Sequence, residues 1–226
     1  MIVLYLDQNY ASRIAKYLIG QVGHAHFGML YHALRASDVL IPPSPFHVLE
    51  TRGGYLLPTL MSLYREFSRG YWLRPWLEVV RLQVARDGID LDDLLARRGS
   101  WEVAADLEPL EGILELELEG SFLERAWLAR EQIAKQLSFT AEKTHTLPFF
   151  WLLSRFLAFR SLDVERYPRE SDLADLVMAA TVAPYVDLLA TDRYMRELIE
   201  RIGFRGQVFS GRHHEVVALA RLVEGT

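Results

Sequence analysis

Carboxylate side chains follow predicted buried strands near both ends of the chain. Asp7 comes directly after the apolar run Ile2 to Leu6, and Asp192 comes after the run VDLLA and Thr191. Parallel strands of an α/β fold bring their carboxyl ends to one edge of the sheet, where such folds keep their sites. We therefore expect Asp7 and Asp192 to share an edge.

Further acids fall beside the same predicted edge. Glu50 lies on a short helix after the second predicted strand, and Asp172 and Asp175 open a later helix. Two residues three apart on a helix face the same way, so either of these aspartates can point at the edge. Several carboxylates in one place repel each other unless they are protonated or hold a cation. An all-oxygen set favours Mg²⁺ or Mn²⁺.

Each acid also has a structural explanation. Aspartate is among the best helix N-caps, and Asp7 and Asp192 both stand directly before a predicted helix. Asp172 and Asp175 suit the first turn of a helix, where the helix dipole favours negative charge. Glu50 suits a solvated helix face. The sequence is consistent with either role, helix cap or metal ligand, for these acids.

The elements that must position these acids occur in two outer segments, residues 1–54 and 168–226. The first reads as strand, helix YASRIAKYLIG, helix Ala25 to Arg35, and a short strand at Val39. In SPFHVLETRGG, Ser44 is the predicted N-cap and Pro45 the first helical residue. The alternation of strands and helices predicts a parallel α/β sheet.

The second outer segment repeats this alternation. DLADLVMAATVA predicts a helix with one buried face, VDLLA a buried strand, RYMRELIERIG a helix, GQVFS a strand, and a last helix runs from about His213 to Val223. Neither segment could bury a parallel sheet alone, so we predict that both build one sheet.

The middle of the chain, residues 55–167, reads as amphipathic helices. Within it, ILELELE alternates with the period of a strand, although leucine and glutamate favour a helix, which we predict there. All five tryptophans lie in this segment, where core packing is favoured over stacking on bases. Between Gly53 and Glu165 the chain has 13 basic and 18 acidic residues, a net charge of −5.

Composition excludes several classes of protein. Hydrophobic residues make up 50% and charged residues 24% of the 226 residues, as in ordinary globular proteins. The absence of cysteine excludes disulfides, zinc–thiolate sites and thiol catalysis. The first apolar run is too short for a signal peptide, and LPFFWLLSRFLAF is too short to span a bilayer. We expect a cytoplasmic protein without a membrane segment.

The motifs LYLDQN, SPFHVLE and SDLADLVMAATVAPYVDLLATD resemble those of PIN-domain proteins, in particular PIN-like nucleases that carry an inserted helical region. The resemblance covers about 100 residues in the outer segments. It implies a PIN-like α/β/α sandwich with a central parallel sheet, interrupted by a large α-helical insertion. It also implies a site that cuts single-stranded or structured RNA with Mg²⁺ or Mn²⁺.

The resemblance assigns roles to individual residues. The four catalytic and metal-binding acids of the family fall on Asp7, Glu50, Asp175 and Asp192, and Asp172 could replace or assist Asp175. Asn9 and Thr191 match polar positions that would fix carboxylates or metal-bound waters. The arginines that follow the acids by one helical turn or less are expected to contact phosphate: Arg13, Arg52 and Arg193.

The function implied is a metal-dependent endoribonuclease. The alternative is a catalytically silent PIN-like module that contacts RNA or a protein partner, as in a toxin–antitoxin pair. The acidic insertion suits a protein partner or a homo-oligomer contact better than extended RNA. Phosphotransferases of the haloacid-dehalogenase type also place an aspartate after the first strand. Those enzymes require a second aspartate two residues after the first, where this chain has Asn9.

Overall fold

A four-stranded parallel sheet forms the centre of the protein. The computed structural model describes residues 1–163 and 170–225. The strands β1 (Ile2–Leu6), β2 (Val39–Leu40), β5 (Leu188–Thr191) and β6 (Gln207–Ser210) are ordered β2-β1-β5-β6. In β1 and β5, Leu4 pairs with Leu188 and Leu6 with Ala190. This register brings the residues that follow both strands, Asp7 and Asp192, to the same edge.

Helices surround this sheet and form most of the middle segment. They are α1 (Gln8–Leu18), α2 (Ala25–Ala36), α3 (Pro45–Thr51), α4 (Leu57–Phe67), α5 (Trp76–Arg86), α6 (Leu91–Leu94), α7 (Phe122–Gln136), α8 (Ala141–Thr144), α9 (Pro148–Arg160), α10 (Glu170–Val182), α11 (Arg193–Arg201) and α12 (His213–Glu224). A small antiparallel pair, β3 (Trp72–Leu73) with β4 (Leu95–Ala96), completes the described elements.

The two faces of the sheet bury different helices, because successive side chains of a strand point in opposite directions. Leu4 and Leu6 belong to a core with residues of α1, α2, α4 and α12. Val3 and Tyr5 belong to a second core with residues of α5, α7, α9, α10 and α11. The fold is therefore α/β, with helices packed on both faces of a parallel sheet.

The middle segment packs directly on the sheet. Leu60 and Tyr64 of α4 lie in the same core as Leu6. On the other face, Trp76 is 2% exposed and stacks on Phe149 with ring centroids 5.8 Å apart. This buried tryptophan fits the expected core packing, whereas Trp127 of α7 is 50% exposed. The helical segment thus shares cores with the α/β elements.

The elements predicted from the outer segments match the structure closely. β1 spans the predicted Ile2–Leu6, and Ser44 caps α3 by accepting a hydrogen bond from the His47 N–H. The prediction of a helix for ILELELE is wrong, because only a single 3₁₀ turn, Ile113–Glu115, forms there before the chain extends. The β3–β4 pair was not predicted, since two-residue strands have no periodic signal.

The predicted end of the helical insertion and the length of the helices bear on two further expectations. The predicted boundary between residues 167 and 168 lies outside the described residues. Within residues 1–163 and 170–225, none of the helices is both long enough and apolar enough to cross a bilayer.

Candidate active site at the carboxyl edge of the sheet

Asp7 is held at the carboxyl end of β1 by both of its oxygens. Its Oδ1 accepts a hydrogen bond from the Tyr10 N–H at 3.0 Å and so caps α1. Its Oδ2 accepts a hydrogen bond from the Thr191 hydroxyl at 2.8 Å. Asp7 is 6% exposed. Burial chiefly, and the charge of Asp192 to a lesser degree, raise the pKa of Asp7 to about 6 despite these hydrogen bonds.

Asp192 occupies the equivalent place at the end of the neighbouring strand. Its Oδ1 accepts a hydrogen bond from the Met195 N–H at 2.7 Å, which caps α11. The cap explanation is therefore true of Asp7 and of Asp192. A cap uses one lone pair of one oxygen, so each carboxylate keeps capacity for a further partner.

Glu50 and Asp175 bring two more carboxylates to this edge. Burial is the main cause that raises the pKa of Glu50 to about 8, and the negative charges of Asp175, Asp7 and Asp192 raise it further. The side chain of Glu50 is nevertheless exposed to water, because it lines an open groove. Tyr5 lies beneath, and its pKa is raised by burial and by the charges of Glu50, Asp7 and Asp175.

The four carboxylates influence one another but are not gathered like the ligands of a bound ion. Among the residues that the structure describes, no group of three or more histidine, aspartate or glutamate side chains could hold a metal ion as positioned. The donor chemistry nevertheless fits a hard divalent cation, since every donor is a carboxylate oxygen. Burial is the main cause of the raised pKa values of Asp7 and Glu50, and the charges of neighbouring acids add to it.

Asp172 faces a different neighbour. It is 4% exposed, and its Oδ2 lies 3.7 Å from Nη2 of the buried Arg160. Arg160 also donates to the Leu114 carbonyl at 3.3 Å. The structure thus brings Asp175 into the range of Glu50 and engages Asp172 with an arginine of α9.

A histidine network that the sequence did not reveal holds the end of β1. Nδ1 of the buried His47 accepts a hydrogen bond from the Ser44 N–H at 3.0 Å, so Nε2 carries the hydrogen and donates to the Leu6 carbonyl at 2.7 Å. The Tyr64 hydroxyl donates to the same carbonyl at 3.3 Å. Burial lowers the pKa of His47 to about 4, which keeps the ring neutral. These groups position the residue that precedes Asp7.

Only part of this network had a signal in the sequence. A side chain three residues after an N-cap serine can return a hydrogen bond to the cap, and His47 stands at that place in SPFH. The contact of Tyr64 with Leu6 joins residues 58 apart and depends on the packing of α4, which no local pattern specifies.

A large groove lies beside Glu50. It has a volume of about 750 Å³ and runs between α3, the start of α10 and the chain around two 3₁₀ turns, Glu108–Leu110 and Ile113–Glu115. Its described lining combines leucines with Glu50, Glu108, Glu111 and Glu115, and contains no lysine, arginine or histidine. This side of the edge is therefore acidic and apolar.

The opposite side of the edge carries arginines. A pocket of about 260 Å³ next to Asp192 is lined by Arg13, Arg193 and Arg212, together with Asn9. Of the residues expected to contact phosphate, Arg13 and Arg193 are thus together. Arg52 is the exposed C-cap of α3 and does not line this pocket. Arg212 was not singled out from the sequence.

Comparison of the chain with known protein families, with curated proteins and with solved structures finds no match.

Proposed function

We propose that this protein is a divalent-metal-dependent ribonuclease of the PIN-like type, in which residues 55–167 form a helical insertion. The observation that carries the proposal is the meeting of four acids from distant parts of the sequence at one sheet edge. Asp7 and Asp192 follow neighbouring parallel strands, and Glu50 and Asp175 lie within electrostatic range of them. The motifs that resemble PIN-like nucleases contain these same four acids.

The acids would hold one or two Mg²⁺ or Mn²⁺ ions. A bound ion supplies a more acidic water and neutralises phosphate charge. Because no three described acidic side chains are positioned as ligands of an ion, binding would require some of the four carboxylates to move closer together. Asp7 itself is fixed by Thr191 and by the Tyr10 N–H, so it is the anchor of the set.

The chain's own groups prepare this site. Thr191 orients the outer oxygen of Asp7, and Asn9 lies exposed two residues later, next to the arginine pocket. The raised pKa of Glu50 favours its protonated form in the metal-free protein, and a proton held there must be released before the carboxylate binds a cation. The neutral form relieves the repulsion among the acids.

The direct test is an RNA-cleavage assay in chelator, Mg²⁺ and Mn²⁺, carried out on the wild type and on Asp7→Asn. Asparagine keeps an oxygen for the Tyr10 N–H, so the cap and the fold survive. We expect cleavage to need the metal and to fall by at least about 100- to 1000-fold in the variant, the range for removal of one electrostatic stabiliser.

The matched control is Asp90→Asn. Asp90 caps α6 by accepting a hydrogen bond from the Asp93 N–H at 3.0 Å, so the same chemical change removes a capping aspartate away from the edge. This control should cleave like the wild type. Wild-type turnover in Asp7→Asn would remove Asp7 from the site, and metal-independent cleavage by both would contradict the proposal.

The acidic groove supports a second candidate, a catalytically silent PIN-like module that contacts a protein. Its leucines and its glutamates Glu108, Glu111 and Glu115 would suit a basic amphipathic segment of a partner and would repel RNA. A chain that binds no metal and cleaves no RNA, but binds such a segment with an affinity lost in Glu108→Lys/Glu111→Lys, would establish this function instead.

A further inference from the structure

The arginine pocket beside Asp192 is formed by three elements that meet beyond the ends of β5 and β6. Arg13 comes from α1, Arg193 is the first residue of α11, and Arg212 is the N-cap of α12. The starts of α11 and α12 and the second turn of α1 bring these side chains together at the carboxyl edge of the sheet, although they are separated by up to about 200 residues in sequence.

The pocket holds its arginines in place with part of their hydrogen-bonding capacity. Nη1 of Arg13 donates to the Gly211 carbonyl at 3.1 Å, and its guanidinium lies over the Phe27 ring at 5.5 Å. Glu197 accepts from Nε of Arg193 at 2.7 Å and from Nη2 of Arg212 at 3.3 Å.

These bonds leave donors available. Within the described part of the chain, neither Nη group of Arg193 has a hydrogen-bond partner. A guanidinium that keeps its two terminal N–H groups open presents the planar fork that pairs with phosphate oxygens.

The charge around the pocket favours an anion. The residues that line the pocket include three arginines and one carboxylate, Asp192, so the lining is net positive. Behind this lining, Glu197 accepts from Arg193 and Arg212, and the buried Glu215 pairs with Arg196 and lies 4.0 Å from Nη1 of Arg212, so the excess positive charge belongs to the lining itself. The lining of this pocket is thus positive, whereas the lining of the groove beside Glu50 is negative.

We infer that this pocket, formed by Arg13, Arg193 and Arg212, binds a phosphate group of the substrate other than the one that is cleaved. The inference rests on the proposed function and adds a second point of contact. Asp192 lines the pocket and also belongs to the acid set, so a phosphate held here lies next to the reaction centre. The shared chemistry is a nucleotide phosphate, either terminal or internal to the strand.

The first experiment uses inorganic phosphate as the probe, without divalent metal and at constant ionic strength. Thermal unfolding of the wild type should shift upward with phosphate, and the shift should be lost in Arg193→Gln/Arg212→Gln. The control is Arg35→Gln, an exposed arginine of α2 that pairs with Glu66 at 2.8 Å, and it should keep the shift. Because side chains of Arg193 and Arg212 are 69% and 40% exposed, the double variant should fold.

The second experiment measures the binding of short RNA oligonucleotides to Asp7→Asn by fluorescence anisotropy over a range of salt. Replacing both arginines should weaken binding and reduce the slope of log K against log salt by about 0.7, the value for one phosphate contact on a single strand. Oligonucleotides with a 5′-phosphate, a 3′-phosphate or neither distinguish the sources. Tighter binding of one phosphorylated form assigns a terminal phosphate, and equal binding with the reduced slope assigns an internal one.

The inference fails if phosphate does not stabilise the wild type, or if the double variant keeps the full phosphate shift and salt slope. Its failure is separable from that of the proposed function. The phosphate shift does not need Asp7, so it should persist in Asp7→Asn, whereas loss of cleavage in that variant reports on the acids alone.

Discussion

The two cavities at the sheet edge have linings of opposite net charge, and each contains one of the four acids, Glu50 in the groove and Asp192 in the pocket. Toward β2, the groove beside Glu50 contains glutamates and leucines and has a volume of about 750 Å³. Toward β6, a pocket of about 260 Å³ contains three arginines. A polynucleotide that reaches the acids would be anchored by phosphate on the β6 side and repelled along the groove. The larger cavity is therefore the worse place for RNA.

The net charge of the whole chain hides this division. If the net charge of −5 were spread evenly over the surface, it would argue against a nucleic-acid partner. The structure concentrates acidic side chains of the middle segment around the groove, at Glu108, Glu111 and Glu115, and leaves arginines of the outer segments at the pocket. Local charge next to the site, rather than total charge, decides which ligand can approach.

Apart from Asp7→Asn, loss of the Thr191 hydroxyl should have the largest effect on cleavage and stability among the single changes at the sheet edge. In Thr191→Val the buried Oδ2 of Asp7 loses its donor, which should cost about 1–3 kcal/mol of stability. Metal affinity and RNA cleavage should fall by about 10- to 100-fold, as for other groups that orient metal ligands. The measurements are Mn²⁺ titration and cleavage rate.

The control for Thr191→Val is Thr181→Val. Thr181 is also buried, but its hydroxyl donates to the Val177 carbonyl within α10 at 2.7 Å. It should leave cleavage near the wild-type rate. Equal cleavage by both valine variants would show that the Thr191–Asp7 contact does not serve the site.

Glu50 should make the stability of the metal-free protein depend on pH. Its pKa is about 8 in the folded protein, against about 4.3 for an ordinary glutamate. Between these values the folded protein binds more protons than the unfolded chain, so the free energy of unfolding falls as pH rises. In Glu50→Gln this loss should disappear, which should raise the unfolding temperature at pH 8 by about 2 °C, a small value because water reaches this carboxyl.

The comparison for Glu50 is Glu119→Gln, a change of an exposed glutamate in the extended chain before α7. Its unfolding temperature should follow that of the wild type at every pH. If the stability of the wild type rose from pH 5 to pH 8 and this rise were absent in Glu50→Gln, the raised pKa of Glu50 would be contradicted.

Asp192 allows charge and cap to be separated. Asp192→Asn keeps an acceptor for the Met195 N–H and removes a charge near Asp7 and Glu50, so it should slightly stabilise the metal-free protein. Asp192→Ala also loses the cap, which costs about 1 kcal/mol. Denaturant unfolding of both variants measures the difference. An asparagine variant as stable as the wild type, with the alanine variant less stable, would assign Asp192 to capping alone, and destabilisation by asparagine would contradict repulsion among the acids.

The smallest effect is expected from Gly211 at the arginine pocket. A Cβ at this position would lie 2.6 Å from Nη1 of Arg13, so Gly211→Ala must displace that guanidinium. The stability should hardly change, because the end of a flexible side chain can move. The affinity for inorganic phosphate should fall by about two- to fivefold, as for loss of one exposed charged contact. An unchanged affinity would mean that Arg13 does not contact the anion.

Sequence reasoning located the sheet well because its signals are local. The run Ile2 to Leu6, the Ser44–Pro45 start and the strand before Thr191 are written in adjacent residues, and each appears where predicted. It also placed Asp7 and Asp192 at one edge, since parallel pairing of neighbouring strands leaves no other arrangement.

The rest depends on packing between distant segments. Nothing near Asp172 in the sequence announces Arg160, which comes from α9 and engages it. The contact of Tyr64 with the Leu6 carbonyl and the position of Arg212 beside Arg13 are tertiary in the same way. For ILELELE, residue propensity favoured a helix, whereas the chain there turns once and then extends, with its leucines packed on the core and its glutamates exposed.

The most direct test of the account is metal-dependent thermal unfolding of the wild type and Asp7→Asn in chelator, Mg²⁺ and Mn²⁺. The account predicts that Mn²⁺ raises the unfolding temperature of the wild type and has no effect on the variant, because Asp7 anchors the acids that hold the ion. An equal rise in both proteins, or no rise in the wild type, would show that the carboxylates at this edge cap helices and do not bind a catalytic metal.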